Sequence, residues 1–266
     1  MTGPGIRVTV LASGSRGNCM VLSDGETTVL LDAGLSARET VRRMVSAGLC
    51  PESLSGVILS HEHRDHLSGM GPVCRRFKLA AYMTGKTFKN AKPLLGALPR
   101  VEPFSCGADF SIGTLCFRPF SISHDAADPA GFTVSAHGIK VGIATDLGVC
   151  TSVVAHHLSG CRALFLEANH CPDMLDAGPY PWHLKQRVKS RIGHLSNQAA
   201  RDLLGRVLWP EVTHVVLAHL SETNNLPEKA LSVVGEALGN HSASLIAAHQ
   251  EQVVDVWIPA KPPPPG

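Results

Sequence analysis

His61, His63, Asp65 and His66 put four metal-ligating side chains into six consecutive positions. Imidazole nitrogens and carboxylate oxygens are good donors for Zn²⁺, Mn²⁺ or Fe²⁺. The cluster follows residues 57–60, an apolar run that reads as a short strand. A strand ending in a tight loop turns His61 and His63 to one side. Asp65 and His66 fall just before a helix starting near Leu67 and can face a second ion. Paired cations roughly 3.5–4 Å apart clamp both the attacking and the leaving oxygen of a hydrolysis. A solvated polar loop is the plain alternative, and the density of ligand types directly after a strand speaks against it.

Three more residues of the same donor types stand after apolar runs: His124, Asp146 and His219. A carboxylate between two cations offsets their repulsion, which suits Asp146 to a bridging place; a strand-end turn aspartate is the weaker alternative. For His124 a surface histidine is the weaker alternative, whereas His219 alone reads equally as a core histidine bonded to backbone. His194 lies between Gly193 and a helix start at Ser196, where helix amides favour an anion. Residues 13–18 form a glycine-rich stretch after a strand. They offer amides and the side chains of Ser13, Ser15 and Asn18 to an anion, without forming a Walker motif. Lys185, Arg187, Lys189 and Arg191 form a basic stretch near His194, either for phosphate contact or as a charged solvated face. His137, His156, His157, His214, His241 and His249 lack ligand-type neighbours and read as structural or solvent-facing.

Strands and helices alternate around these residues. Residues 6–11, 27–31, 57–60, 79–83, 110–112, 115–122, 131–135, 140–144, 164–167, 215–218 and 253–258 read as strands from their apolar, β-branched runs. Ser36 and Glu39 have capping-box spacing ahead of Val41, Met44 and Val45, with Gly48 as the stop. Ser196 or Asn197 caps a helix carrying Leu203, Leu204, Val207 and Leu208. Pro227 opens another, which Gly239 closes. Two strand-rich halves, each ending its strands in polar loops, predict two sheets packed together with helices outside.

With 266 residues, 44% of them hydrophobic, the chain can bury a large core. The expectation is a single domain over 1–260 and a disordered proline-rich tail at 261–266. A net charge of +2 is too mild to argue nucleic-acid binding by itself. No run of 18 apolar residues occurs, so no membrane span is expected. Residues 1–17 lack the basic and apolar regions of a secretory signal. Eight cysteines without a C-x-x-C pair read as the reduced thiols of a cytoplasmic protein.

The motif His-x-His-x-Asp-His at 61–66, with Asp32, His124, Asp146 and His219, resembles the metallo-β-lactamase-fold hydrolases over nearly the whole chain. Further stretches narrow the likeness: Ser13-Gly14-Ser15-Arg16-Gly17-Asn18, Ser123-His124-Asp125-Ala126 and Glu167-Ala168-Asn169-His170. With Gly193-His194-Leu195-Ser196-Asn197 and His219-Leu220-Ser221, they resemble the YycJ/WalJ-type subgroup, related to ribonucleases J and Z. The resemblance implies an α/β fold, the αβ/βα sandwich of two mixed sheets packed face to face with helices outside. It implies phosphodiester cleavage, as 5′→3′ exonuclease action on DNA, with two divalent metal ions per chain.

On that reading His61, His63, His124 and Asp146 hold one metal ion, and Asp65, His66, Asp146 and His219 the other. Asp32 stands behind the ligands, orienting them. A hydroxide bridging the ions attacks phosphorus, Asp65 orients or deprotonates the nucleophile, and His194 contacts the phosphate or the leaving oxygen. Ser13, Ser15, Asn18 and His170 line the substrate. Cys171 departs from the subgroup, which usually has aspartate there. The 73 positions from Asp146 to His219 leave no room for the inserted domain of ribonuclease J. The same ligands would equally serve a hydrolase of small esters, thioesters or lactams. A metal-binding regulatory module acting through a protein partner is the alternative of another class, and it needs no such open site. His63 stands where the redox branch of the superfamily tends to carry a carboxylate, which argues against a di-iron redox role.

Thiol titration of the denatured, non-reduced protein is expected to find all eight cysteines free. Two or more missing from a fresh preparation would contradict the reduced-protein reading.

Overall fold

A computed structural model of the chain describes residues 3–260; the tail expected to be disordered, residues 261–266, lies outside the described residues. The first half runs β1 (Gly5–Ala12), β2 (Cys19–Ser23), β3 (Thr28–Ala33), α1 (Ala37–Ser46), β4 (Leu54–Ile58), α2 (Arg64–Leu67), α3 (Met70–Phe77), β5 (Ala80–Thr84), α4 (Gly85–Leu95) and β6 (Arg100–Phe104). Next come β7 (Phe110–Ile112), β8 (Leu115–Ser121), β9 (Ala130–Ala136), β10 (Ile139–Ala144), α5 (Ser152–Leu158) and β11 (Ala163–Glu167). The chain ends with α6 (Pro172–Ala177), α7 (Trp182–Lys189), α8 (Asn197–Val207), β12 (His214–Ala218), α9 (Pro227–Gly235), β13 (Ser244–Ala247) and β14 (Val254–Pro259).

The strands form two seven-stranded sheets, ordered β14-β1-β2-β3-β4-β5-β6 and β7-β8-β9-β10-β11-β12-β13. Both share one plan. Pairing is antiparallel from β14 to β3 and from β7 to β10, then parallel to the far edge. Successive side chains of a strand point to opposite faces. In β3, Val29 and Leu31 enter the core between the sheets, and Leu30 enters the core under the helices. In β11, Phe165 faces the inter-sheet core, while Leu164 and Leu166 face the helices. Covered on both faces, such strands read as continuous apolar runs. Residues of α1, α3 and α4 cover the first sheet, and residues of α5, α8 and α9 cover the second. The expected α/β sandwich is therefore present.

Some element bounds differ from expectation. β4 begins at Leu54, and the helix after the histidine cluster begins at Arg64, so Asp65 and His66 sit within the single turn of α2. α9 ends at Gly235 rather than Gly239, because the chain tightens into three-residue turns from Val234 O to Ala237 N and from Gly235 O to Leu238 N. β6 and β13 are partly exposed edge strands, which blunts the alternation that would reveal them. Ser36 Oγ caps α1 through the Glu39 N–H at 3.2 Å, but the Glu39 carboxylate turns to Arg42 and Arg43 instead of back to the cap. All eight cysteines are unpaired. No helix among the described residues is long and apolar enough to cross a membrane.

Gly34 lets three segments meet. A Cβ there would stand 1.7 Å from Asp65 O and 2.7 Å from Asn18 N, two atoms themselves joined by a 2.7 Å hydrogen bond. The end of β3, the 13–18 loop and the histidine cluster thus close around a missing side chain. Gly34→Ala is expected to lower stability by about 1–3 kcal/mol or more, the range of overpacking. Urea denaturation reads this as a lower midpoint; an unchanged midpoint would mean that the three segments part freely.

Candidate metal centre and active site

Strand ends from both sheets supply the site. β3 carries Asp32, the loop after β4 carries residues 61–66, and the ends of β10, β11 and β12 bring Asp146, Glu167 and His219. His124 comes from the β8–β9 connection and His194 from the loop before α8. Carboxyl ends of parallel strands are where α/β sheets seat ligands. Asp32, Asp146 and His219 have φ of 57°, 60° and 56°, a left-handed backbone that few non-glycine residues adopt. Strain of this kind costs on the order of 1–3 kcal/mol and persists only where surroundings fix it. Asp32 is fixed by Ser60, whose N–H and Oγ donate to its two oxygens at 2.8 Å each. The His219 N–H donates to Ser13 Oγ at 2.7 Å.

Six histidines each have one ring nitrogen tied to the protein. His61 Nδ1 lies 3.0 Å from Ser60 Oγ, and His66 Nδ1 donates to Asp32 Oδ2 at 2.8 Å. His124 Nδ1 donates to Gly193 O at 3.1 Å and His63 Nε2 to Asp125 O at 3.2 Å. His194 and His219 both donate through Nδ1 to Glu167 Oε1, at 2.7 and 3.1 Å. A hydrogen bond on one side of an imidazole sets its tautomer and leaves the other lone pair available.

The remaining donor atoms converge. His61, His63 and His124 offer atoms mutually within 4.8 Å, as do His61, His66 and Asp146, and also Asp65, His66 and His219. All seven expected ligands are brought together, with Asp146 at the middle. Its oxygens lie 3.4 Å from His66 Nε2, 3.6 Å from His219 Nε2 and 3.9 Å from His124 Nε2.

Charge is finely opposed here. Burial would raise the Asp146 carboxyl, but His219 and His66 hold it well below the usual range. Burial likewise opposes ionisation of Glu167, and His194 and His219 bring it down to about 2. Burial pushes His61 well down, helped by His66, and also lowers His124. Burial would lower His66 and His219 too. Around His66, however, Asp146, Asp32 and Asp65 lift it well above the imidazole range, and Asp146, Asp65 and Glu167 do the same for His219. His61 Nε2 is buried without a hydrogen-bond partner, and Asp146 Oδ2 has only its 3.4 Å ion pair with His66 Nε2. A buried polar atom left unmet costs roughly 1–3 kcal/mol, and a cation between these two would meet both. The donors fit divalent metal ions.

Two residues overlooked among the candidates belong to this site. Glu167 is fully buried and, besides the two histidines, accepts the Leu147 N–H at 2.7 Å and the Leu195 N–H at 3.0 Å. It ties the Asp146 loop to the His194 loop. Its signal was a charged residue closing the apolar run of β11. Asp125 lines the cavity and pairs with Arg187 at 2.6 Å.

The expected substrate contacts divide. Ser15 lines the cavity with His63, Asp65, Asp146 and His194. Ser13 and Asn18 are buried instead, because the site consumes their polar groups. Ser13 holds the His219 turn, and Asn18 Nδ2 lies 3.0 Å from His66 Nε2 and 3.2 Å from Asp65 Oδ2. His170 is buried, lowered by that burial to about 4, and lines a neighbouring cavity with Lys189, Ser196 and His194. Of the basic stretch, Arg187 reaches the main cavity, whereas Lys185 and Lys189 turn to Asp176. Cys171 precedes the first turn of α6 and lines neither cavity.

Residues 27–220 match the model of the β-lactamase superfamily domain. The chain is 34% identical to the exodeoxyribonuclease YycJ of Bacillus anthracis, over 97% of this chain and 98% of that one. It is 32% identical to the exodeoxyribonuclease WalJ of Streptococcus pneumoniae, over 85% of this chain and 86% of that one. In fold it resembles the metallo-β-lactamase fold protein YhfI of Bacillus subtilis, with a TM-score of 0.73 at 16% identity, covering 95% of this chain and 100% of that one. The shared sandwich, the matched domain and the full-length likeness make this chain a member of the metallo-β-lactamase superfamily of hydrolases, in the YycJ/WalJ group.

Proposed function

We propose that the protein is a dinuclear metal-dependent phosphodiesterase that removes nucleotides from DNA in the 5′→3′ direction. It works in the reducing cytoplasm, with residues 1–260 as one folding unit. The observation that carries this reading is the convergence of imidazoles, each tied by one nitrogen, on Asp146. The substrate class is supported by the full-length relatives named as exodeoxyribonucleases.

His61, His63, His124 and Asp146 would hold one ion, and Asp65, His66, Asp146 and His219 the other. Zn²⁺ and Mn²⁺ match these donors, as does Fe²⁺. When bound, the ions supply Lewis acidity, which acidifies water and offsets charge on phosphoryl oxygens. The chain's own groups do the rest. Asp65, which lines the cavity, would orient the attacking water or accept its proton. His194, its Nδ1 proton held by Glu167, turns Nε2 toward the phosphate or the leaving oxygen. Arg187, at the cavity wall beside Asp125, offers a cation to the nucleic-acid backbone.

Incubation with Mn²⁺ or Zn²⁺ and end-labelled single- and double-stranded DNA and RNA tests this. DNA shortening stepwise from the 5′ end is expected; no cleavage of any nucleic acid with either metal would sink the reading. His194→Ala should keep both ions and lower kcat by roughly 10²–10⁴-fold, the worth of a positioned proton-transfer group. Loss of an ion from that variant would make His194 a ligand. Glu167→Gln should weaken metal binding or turnover by roughly 10–100-fold, as for other groups behind metal ligands. Metal titration alongside kinetics reads this, and wild-type values in both would reduce Glu167 to a loop tie.

A further inference from the structure

The main cavity has two unlike walls. One is the polar set around Asp146. The other comes from α7 and the loop before it: Tyr180, Leu184 and Val188, with Arg187 beside them. Tyr180 stands in Gly178-Pro179-Tyr180-Pro181. Proline fixes its own φ and restricts the backbone of the residue before it, so Pro181 restrains the backbone that carries Tyr180. Gly178 seats this loop firmly, since a Cβ there would meet Asn224 Oδ1 at 2.5 Å and Met174 O at 2.6 Å. Yet the half-buried Tyr180 side chain neither hydrogen-bonds through its hydroxyl nor stacks on another ring within the described residues.

An unpartnered ring that lines one cavity with Asp65, Asp146, His219 and Arg187 fits a planar group attached to an anion. The cavity holds about 210 Å³, less than the roughly 300 Å³ at which pockets for drug-sized ligands begin. A single nucleobase fits such a space, and a base pair does not.

We infer that Tyr180 is the stacking platform for the nucleobase next to the scissile phosphate, so that the cavity receives a single unpaired nucleotide. The inference rests on the nuclease reading above. Stacking on an aromatic ring tolerates any sequence, because every base has a π-face. Leu184 and Val188 give the sugar an apolar contact, and Arg187 meets a neighbouring phosphate. Tyr180 is a specificity residue here: it favours nucleotides over small esters that lack a planar group.

The test compares wild type, Tyr180→Ala and Tyr180→Phe on a single-stranded DNA oligonucleotide. Two further substrates carry an abasic spacer in place of the base on one or the other side of the first scissile phosphate. Tyr180→Ala should raise KM roughly 5- to 150-fold, the span of base–aromatic stacking, with kcat little changed and metal content unaltered. Tyr180→Phe should restore KM. One abasic substrate should raise KM for wild type by a similar factor and leave Tyr180→Ala no worse. Equal losses for Tyr180→Ala on intact and abasic strands would overturn the inference, as would a phenylalanine variant as poor as alanine. A wild type that cleaves no oligonucleotide would overturn the nuclease reading itself, whereas normal wild-type cleavage with either of those results removes the stacking role alone.

Discussion

Asp32, Asp65, Asp146 and Glu167 are gathered at one end of two sheets, and among the described residues no lysine or arginine pairs with any of them. Buried charge without a partner is costly, and much of the site answers that cost. Asp32 takes two hydrogen bonds from Ser60, Glu167 takes two from backbone amides, and His66 and His219 rise in proton affinity among the carboxylates. The same bonds that steady the carboxylates aim the imidazoles. Proton and metal ion are then competing answers to one electrostatic demand, since a ligating imidazole must give up its proton.

The shared plan of the two sheets explains where the carboxylates stand. In each, the first strand to gain a parallel neighbour, β3 or β10, leads to an aspartate with left-handed backbone, Asp32 or Asp146. A glycine follows two residues later, pressed against another site loop. A Cβ on Gly34 would stand 1.7 Å from Asp65 O, and one on Gly148 would stand 2.2 Å from Arg191 O. A capped helix then starts, from Ser36 in one sheet and Thr151 in the other. Strained turn, close approach and cap recur together, because a chain leaving a buried strand must reverse at once to cover its own sheet. The aspartates differ in use. Asp32 backs His66, while Asp146 faces the centre of the donors.

Much of this was legible in the sequence. The apolar runs of β3, β10, β11 and β12 reported strands covered on both faces, and ligand-type residues at their ends reported the site. Capping at Ser36 and Ser196 was readable because a hydroxyl bonded to an amide three residues on is a local matter. Glu167, Ser13 and Asn18 were harder. Glu167 matters for what it accepts from four groups distant in sequence, and Ser13 and Asn18 for turns made by residues far along the chain. An anion-binding reading of the 13–18 loop follows from its glycines and hydroxyls, but His219, Asp65 and His66 take those groups first. Tyr180 carried no periodic signal at all; only the folded chain brings it to the cavity that Asp146 also lines.

Glu167 shows why a carboxylate and no other side chain suits its place. An ionised carboxylate has about four acceptor positions and no proton of its own. Here one oxygen takes the Nδ1 protons of His194 and His219, and the other takes the Leu147 and Leu195 amides. Every neighbour is a donor. A glutamine would have to aim its NH₂ at the two amides or at the two imidazole N–H groups, and either choice sets donor against donor. Full occupancy also leaves no site for a proton to settle, in keeping with the depressed Glu167 carboxyl. One saturated carboxylate thus sets the tautomers of His194 and His219 together and ties both rings to the loop that carries Asp146.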